Sequence, residues 1–400
     1  MDLSYGKEYE EFREEVRGFL ASNWAEGDRS SDDARSRFRK QAVEHGYLAR
    51  SIPSRYGGSE QPADEIRATI IREEFSSARA PGDVQGIGTM MLVPTLLEKG
   101  EEWQREKFVP PTVRGEVKWC QGYSEPGSGS DLASLQTRAE LDGDEWVING
   151  QKIWTTGAQR ADYMFCLCRT EPDASKHAGI SYLLIPMKQP GIEVTPLRQM
   201  TGGSDFNQVF LTDARTPKDW MVGKRGEGWI ISRTTLKHER NSIGAAAQSV
   251  ATFAGLLQLA KNTQRDGRPA IEDPEIRQRL GALEGFVRAH EYSGYRQLTA
   301  NARGDSPGVL QTMNKLISTN IGHEVANIAL DLLDDEGLLD PLADREMGRI
   351  PRGSRGWISQ YMYSLGIAVA GGTANIQRNV IGERGLGLPR DAYAQKGSGK

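Results

Sequence analysis

Apolar and polar positions alternate in three successive textures along the chain. From Glu8 to about Lys118 the apolar residues recur at helical spacing. Tyr9, Phe12, Val16 and Phe19 fall on one face, with Glu, Arg and Lys between them, a period that predicts amphipathic helices. Ser51-Ile-Pro-Ser-Arg-Tyr-Gly-Gly58 reads as a loop in that run. Around Trp119 the pattern turns into short strand-like runs: Trp146–Ile148, Tyr163–Cys168, Ser181–Pro186, Gly191–Thr195 and Gln208–Leu211. Asp142-Gly143 and Asn149-Gly150 are turn signals, and Trp146 to Thr156 reads as a β-hairpin with Asn149-Gly150 as its two-residue turn. After Gly226-Glu-Gly228 the helical period returns almost to the end, where Gln395–Lys400 reads as a frayed tail. The expectation is an α+β chain: an N-terminal helical domain over 1–118, a β-barrel or sandwich over 119–225 and a C-terminal helical domain over 226–400.

The helix predicted after Gly228 carries an anomaly. Ser232, Leu236, Glu239, Ile243, Ala246, Val250, Phe253 and Leu257 follow one another in steps of four and three residues. They form one mostly apolar stripe on a single long helix, with a carboxylate in it. A buried carboxylate is costly unless it is paired or put to chemical use. Arg240 is no automatic partner, because adjacent helical residues point about 100° apart. Glu239 therefore reads either as half of a structural ion pair with a distant Arg or Lys, or as a functional carboxylate.

Composition narrows the function classes. The 400 residues suit two or three domains. A net charge of −4 offers no electrostatic footprint for nucleic acid or an acidic membrane surface. No run of eighteen apolar residues predicts a membrane span, and Met1-Asp-Leu-Ser-Tyr-Gly-Lys lacks an export pattern. With only three cysteines, the expectation is a cytoplasmic protein without disulfides. Cys166 and Cys168 fall on one face of a strand and read as packed thiols rather than metal ligands.

The candidate chemistry centres on Gln121-Gly-Tyr-Ser-Glu-Pro-Gly-Ser-Gly-Ser-Asp131. Its glycines and proline exclude a helix or regular strand, and glycine lets main-chain N–H groups approach a ligand. It lacks the Gly-Lys-Ser/Thr of a P-loop, and Gly127-Ser-Gly129 lacks the third glycine of the dinucleotide fingerprint.

This loop, followed by Trp146-Val-Ile-Asn-Gly-Gln-Lys-Ile-Trp-Thr-Thr156, resembles the flavin-binding segment of the acyl-CoA dehydrogenase family. Gly372-Thr-Ala-Asn-Ile-Gln-Arg-Asn379, Gly382-Glu-Arg384 and Leu386-Gly-Leu-Pro-Arg390 give a third match in the family's order. The resemblance covers nearly the whole chain and implies that the last domain is a four-helix bundle. It also implies bound FAD, an acyl-CoA substrate and formation of a trans-2-enoyl-CoA, with an electron-transferring flavoprotein as acceptor, in fatty acid or lipid catabolism. By the same resemblance, Tyr123, Ser124 and Gly129 belong to the flavin loop, and Trp154 and Thr156 flank the flavin ring. Thr373 and Asn375 meet the ribityl-diphosphate part. Ser130 and Arg240 lie on the substrate side. Trp154 as plain core and Thr373 as a helix-terminal hydroxyl are the alternatives.

The base departs from one branch of the family and matches another. Many members place it as the Glu of a Tyr-Glu-Gly-Thr sequence, where this chain has Ala370-Gly-Gly-Thr373. Lys237-His-Glu-Arg-Asn241 instead matches the long-chain and isovaleryl branches, which carry the base on the helix. The stripe and the resemblance thus both point to Glu239 as the α-proton base. His238 reads as a surface or packing histidine.

Where the resembled family holds the adenine side of FAD with two motifs, this chain has the altered stretches Thr263-Gln-Arg-Asp-Gly267 and Asp331-Leu-Leu-Asp-Asp-Glu-Gly337. Arg265, Arg268 or the loop Arg349–Trp357 are the candidate substitutes. The resemblance implies a homotetramer or homodimer, and the altered motifs keep open a heteromer with a related subunit. An oxidase relative and a non-catalytic subunit are the rival functions.

Overall fold

The computed structural model describes residues 5–25, 31–242, 244–306, 308–341 and 353–389, and for residues 239–242 the backbone alone. It opens with helices α1 (Lys7–Asn23), α2 (Asp32–Glu44), α3 (Glu65–Ser77), α4 (Val93–Lys99) and α5 (Glu102–Val113). Capping side chains set two of the starts. Ser31 accepts the Ala34 N–H, and Asp64 accepts those of Ile66 and Arg67. The helical period of the first segment becomes a buried face of Phe12, Val16, Phe19 and Leu20. That face packs against Phe38, Ile70, Ile71 and Phe75.

The middle segment forms strands β1 (Trp119–Gly122), β2 (Arg138–Asp142), β3 (Glu145–Lys152), β4 (Tyr163–Arg169), β5 (Ile180–Pro186), β6 (Ile192–Leu197), β7 (Phe206–Pro217) and β8 (Met221–Val222). They pair in the order β6-β7-β3-β2-β4-β5-β8, with β1 parallel to β4. Strand β4 shows why the sheet sits between two cores. Phe165 and Leu167 face a cluster shared with Leu96, Phe108 and Trp119. Met164, Cys166 and Cys168 alternate with them and face an interior cluster with Trp146, Ile148 and Val209. All three thiols are buried there.

One expected turn is corrected. Asn149 and Gly150 lie inside β3, and the hairpin turn falls between β2 and β3, at Gly143–Asp144. Gly150, with φ +156, marks a bulge where the register against β7 shifts. A Cβ at Gly150 would meet Thr137 Oγ1 at 2.4 Å. Asn149 pairs across the bulge with Asp213 at 2.9 Å in both directions. The Asn-Gly pair thus bends a strand rather than reversing it.

The last segment comprises α6 (Gly228–Ser242), α7 (Ala246–Asn262), the ribbon β9 (Gln264–Arg265) and β10 (Arg268–Pro269), α8 (Pro274–Ala302), α9 (Leu310–Leu333), α10 (Gly353–Ile367) and α11 (Ala374–Val380). Helices α7 to α10 form a four-helix bundle around Phe253, Leu256, Leu283, Val287, Val325 and Trp357. The single long helix expected after Gly228 is instead two helices, broken at Gly244 with φ +89. The face also rotates after the break: Ser249, Thr252, Phe253, Leu256 and Ala260 are the buried residues of α7. Of the expected loop Arg349–Trp357, residues 349–352 lie outside the described residues. Gly353–Trp357 opens α10, with Trp357 buried. No described helix is long and apolar enough to cross a membrane.

Candidate active site

The loop after β1 is built by its own hydrogen bonds. The main chains of Glu125 and Ser128 exchange two bonds of 3.0 Å across Pro126 and Gly127. The Ser128 hydroxyl donates to Asp131 O at 2.8 Å, and Asp131 accepts Lys176 Nζ at 2.6 Å. Gly129 and Ser130 are exposed at the tip, and a Cβ at Gly127 or Gly129 would meet nothing. Tyr123 is buried edge-on against Phe165, ring centroids 5.9 Å apart.

The second motif meets this loop directly. Ile153 N–H donates to Ser124 O at 2.9 Å, which ties the loop to the residue just before Trp154. Beneath them Lys152 is fully buried and donates to Glu125 Oε1 at 2.9 Å, Leu167 O at 2.8 Å and Tyr123 O at 3.2 Å. Glu125 also accepts the main-chain N–H groups of Gln136 and Thr137 at 2.6 and 2.8 Å. Burial pushes the Glu125 carboxyl up, but Lys152 and these donors outweigh it and hold it below the usual carboxylate range. Lys152 and Glu125 were not singled out from the sequence. The available signal was period two: Trp146, Ile148 and Lys152 share the inward phase of β3, so a lysine there needs a buried partner.

Trp154 has φ +60 and leaves 60% of its surface exposed, its ring edge-on to Phe206 at 6.1 Å. It is not core. A strained backbone under an exposed indole is the kind of feature found at ligand sites. The buried Thr155 Oγ1 has no hydrogen-bond partner among the described residues, and Thr156 is half-buried. An aromatic face, open space at the glycines and an orphaned hydroxyl together fit a flat, polar-edged ring such as a flavin.

The third motif is held separately. Thr373 caps α11 by accepting Ile376 N–H at 3.2 Å, and Asn375 accepts from Arg378 at 3.2 Å. Their described hydrogen bonds stay within this segment, which packs on α9. Gly371 and Gly372 precede it with φ +61 and +89.

Helix α6 lies in the seam between all three segments. A Cβ at Gly228 would meet Ser181 C at 2.5 Å, so the helix starts in close contact with β5. Thr235 Oγ1 lies 3.0 Å from Thr95 Oγ1 of α4 and 3.4 Å from the Tyr182 hydroxyl of β5. Ile231, Ser232 and Thr235 are buried. Position 239 is one turn beyond Thr235 on that face. The side chains of Glu239 and Arg240 lie outside the described residues. His238 pairs with Glu98 at 3.0 Å, as befits a packing histidine.

In the two stretches read from the sequence as altered family motifs, Arg265 lies 3.7 Å from Asp273 and Asp331 accepts from Arg279 at 2.5 Å.

The three segments match three domain descriptions in order. "Acyl-CoA dehydrogenase, N-terminal domain" matches residues 6–116, the middle domain residues 120–231 and the C-terminal domain residues 226–386. The chain belongs to the acyl-CoA dehydrogenase family, whose members are flavin-bearing oxidoreductases. Among relatives, acyl-CoA dehydrogenase IpdE1 of Mycobacterium tuberculosis is 36% identical over 406 residues, covering 96% of this chain and 99% of that one. Among solved structures, the ChsE4-ChsE5 complex from Mycobacterium tuberculosis aligns with a TM-score of 0.77 at 30% identity, covering 98% of this chain and 100% of that one. The Tcur3481-Tcur3483 steroid ACAD also aligns at 0.77, with 28% identity and 98% and 100% coverage.

Proposed function

We propose that this chain dehydrogenates the α,β bond of a bulky, ring-bearing acyl-CoA to the trans-2-enoyl-CoA, with Glu239 removing the α-proton. The observation that carries the reading is a contrast between two positions. Position 239 extends the buried face of α6 in the seam of the fold, whereas position 371 holds a glycine, which leaves space and no base. A carboxylate in a dry pocket gains basicity as burial raises its pKa. The steroid enzyme among the similar structures supports a ring-bearing substrate.

A bound FAD would supply the hydride acceptor for the β-hydrogen. Tyr123 and Ser124 would hold one edge of the ring, with Gly129 in the same flavin loop, and Trp154 and Thr156 would pack against it. Thr373 and Asn375 would serve the ribityl-diphosphate part, Ser130 the coenzyme A side, and Arg240 would lie beside the substrate. The domain boundaries of this reading are 118/119 and 225/226.

The test is anaerobic bleaching of the FAD-loaded protein by butanoyl-, isovaleryl-, octanoyl- and cholanoyl-CoA. The expected result is fastest bleaching by the ring-bearing thioester, and no bleaching by any of the four overturns the reading. An electron-transferring flavoprotein is the proposed acceptor, and rapid oxygen uptake by the reduced protein would favour an oxidase instead.

A second reading concerns assembly. Two of the similar structures carry paired names, ChsE4-ChsE5 and Tcur3481-Tcur3483, and this chain has acidic residues at Asp331, Asp334, Asp335 and Glu336 where the adenine side of FAD is expected. Both favour a heteromer with a related subunit over a homotetramer. Solution mass with FAD counted per chain decides: a self-assembled oligomer with full occupancy removes the heteromer. The proposed compartment is the cytoplasm.

A further inference from the structure

Two backbone positions frame the proposed site, and one buried lysine touches both. The first is the break between α6 and α7. A Cβ on Gly244 would meet Lys315 N at 2.8 Å and Lys315 Cα at 2.9 Å, so the chain passes directly against α9 there. The buried His290 of α8 holds the same break, with Nε2 3.1 Å from Gly244 O and Nδ1 3.1 Å from Ser249 Oγ. A carbonyl only accepts, so Nε2 carries the proton and Nδ1 accepts from the hydroxyl.

The second position is the turn after α10. Lys315 is 2% exposed, and its Nζ donates to Ile367 O, the last residue of α10, at 3.1 Å. At the other end of the turn Gln377 Nε2 donates to Gly371 O and Gly372 O at 3.1 and 3.2 Å. Ala374 N–H closes the turn on Ala368 O at 3.1 Å. A cation at a helix C-terminus is favourable by itself, but an exposed lysine supplies that contact without desolvation. Burial of this ammonium, which lowers its pKa, therefore needs a reason in geometry.

We infer that Lys315 is a positioning residue for the dehydrogenation: its main chain fixes where α6 ends and its ammonium fixes where the turn to Gly371 begins. One residue thereby ties together the main chain just after position 239, the base of the reading above, and the main chain just before Gly371, the position that leaves space in it. The inference rests on that reading.

The test uses the FAD-loaded protein in its native assembly, with octanoyl-CoA and cholanoyl-CoA as probes in anaerobic rapid mixing. Lys315→Met keeps the length of the side chain and removes the donor. It is expected to retain FAD and a near-parent KM while the limiting rate of flavin reduction falls by about 10²-fold, the scale of a small misplacement. Lys315→Arg, which keeps a donor, recovers much of that rate, and Gly244→Ala, which presses on the same contact from the other side, loses rate in the same way. A parent-like limiting rate in folded, FAD-loaded Lys315→Met overturns the inference. So does a loss that tracks FAD content and Tm and that arginine does not rescue. Should Lys315→Met not fold, a parent-like rate in FAD-loaded Gly244→Ala overturns it equally. Glu239→Gln run alongside separates the two claims. A parent rate there removes the base assignment, whereas a slow Glu239→Gln beside a parent-like Lys315→Met removes only the role of Lys315.

Discussion

Lys152 and Glu125 form a buried ion pair, Nζ to Oε1 2.9 Å, that fastens the glycine-rich loop to the strand leading into Trp154. The other two ammonium protons go to two carbonyls, and the carboxylate also accepts two main-chain N–H groups. Such pairs are weak sources of net stability but severe when half removed. Lys152→Met is therefore expected to destabilise the protein by about 3–5 kcal/mol and to loosen the loop enough to release FAD. The double variant Lys152→Met with Glu125→Gln should be milder than either single change predicts by addition. Denaturant unfolding of the three variants checks this.

The same pair sets a pH dependence. Glu125 titrates lower folded than unfolded, so its contribution is fully present above the unfolded carboxylate value and disappears as pH falls through the lower folded value. The stability difference between the parent and Glu125→Gln should hold from neutral pH down to about pH 4 and narrow below it. A difference that instead widens in acid contradicts the assignment.

Trp154 is expected to separate stability from function. Trp154→Gly relieves a left-handed backbone worth about 1–2 kcal/mol and adds about 0.5–1 kcal/mol of glycine entropy. The apo protein should be as stable as the parent or more so, yet bind FAD more weakly. Thermal unfolding of the apo form beside FAD titration tests both halves.

Glu239→Gln should leave FAD bound and acyl-CoA admitted while flavin reduction slows by about 10²–10⁴-fold. Reduction at the parent rate with the preferred thioester would place the base elsewhere.

Moving the base is the harder experiment. Gly371→Glu in the Glu239→Gln background should recover part of the reduction rate with butanoyl-CoA and none with cholanoyl-CoA, because the side chain fills the widened space. Position 371 has φ +61, so any side chain there also costs about 1–2 kcal/mol of backbone strain. Stopped-flow reduction and Tm report the two effects separately.

The order of helical, β and helical segments was legible because Phe12, Val16 and Phe19 or Phe165 and Leu167 each obey one period over many residues. Two features were not. Asn149-Gly150 carries a strong turn signature, but its strand is held on both edges, so tertiary pairing with β2 and β7 absorbs the glycine as a bulge. The stripe from Ser232 to Leu257 runs unbroken in sequence and outweighs the lone glycine at 244, whose close approach to α9 only the fold reveals. Of the site, the loop and the Trp154–Thr156 segment were readable as motifs. The partnership of Glu125 and Lys152 spans a loop and a strand, so only folding brings the two charges together.

The exposed indole of Trp154 also makes the protein its own optical gauge. The sequence has eight tryptophans. At 60% exposure Trp154 is the most solvated of the described ones, while Trp119, Trp146 and Trp357 are sealed in cores. Red-edge excitation should therefore single out its emission in the apo form. A flavin settling on that ring would quench the emission and shift it to the blue, so cofactor capture can be followed in real time without a label or a substrate.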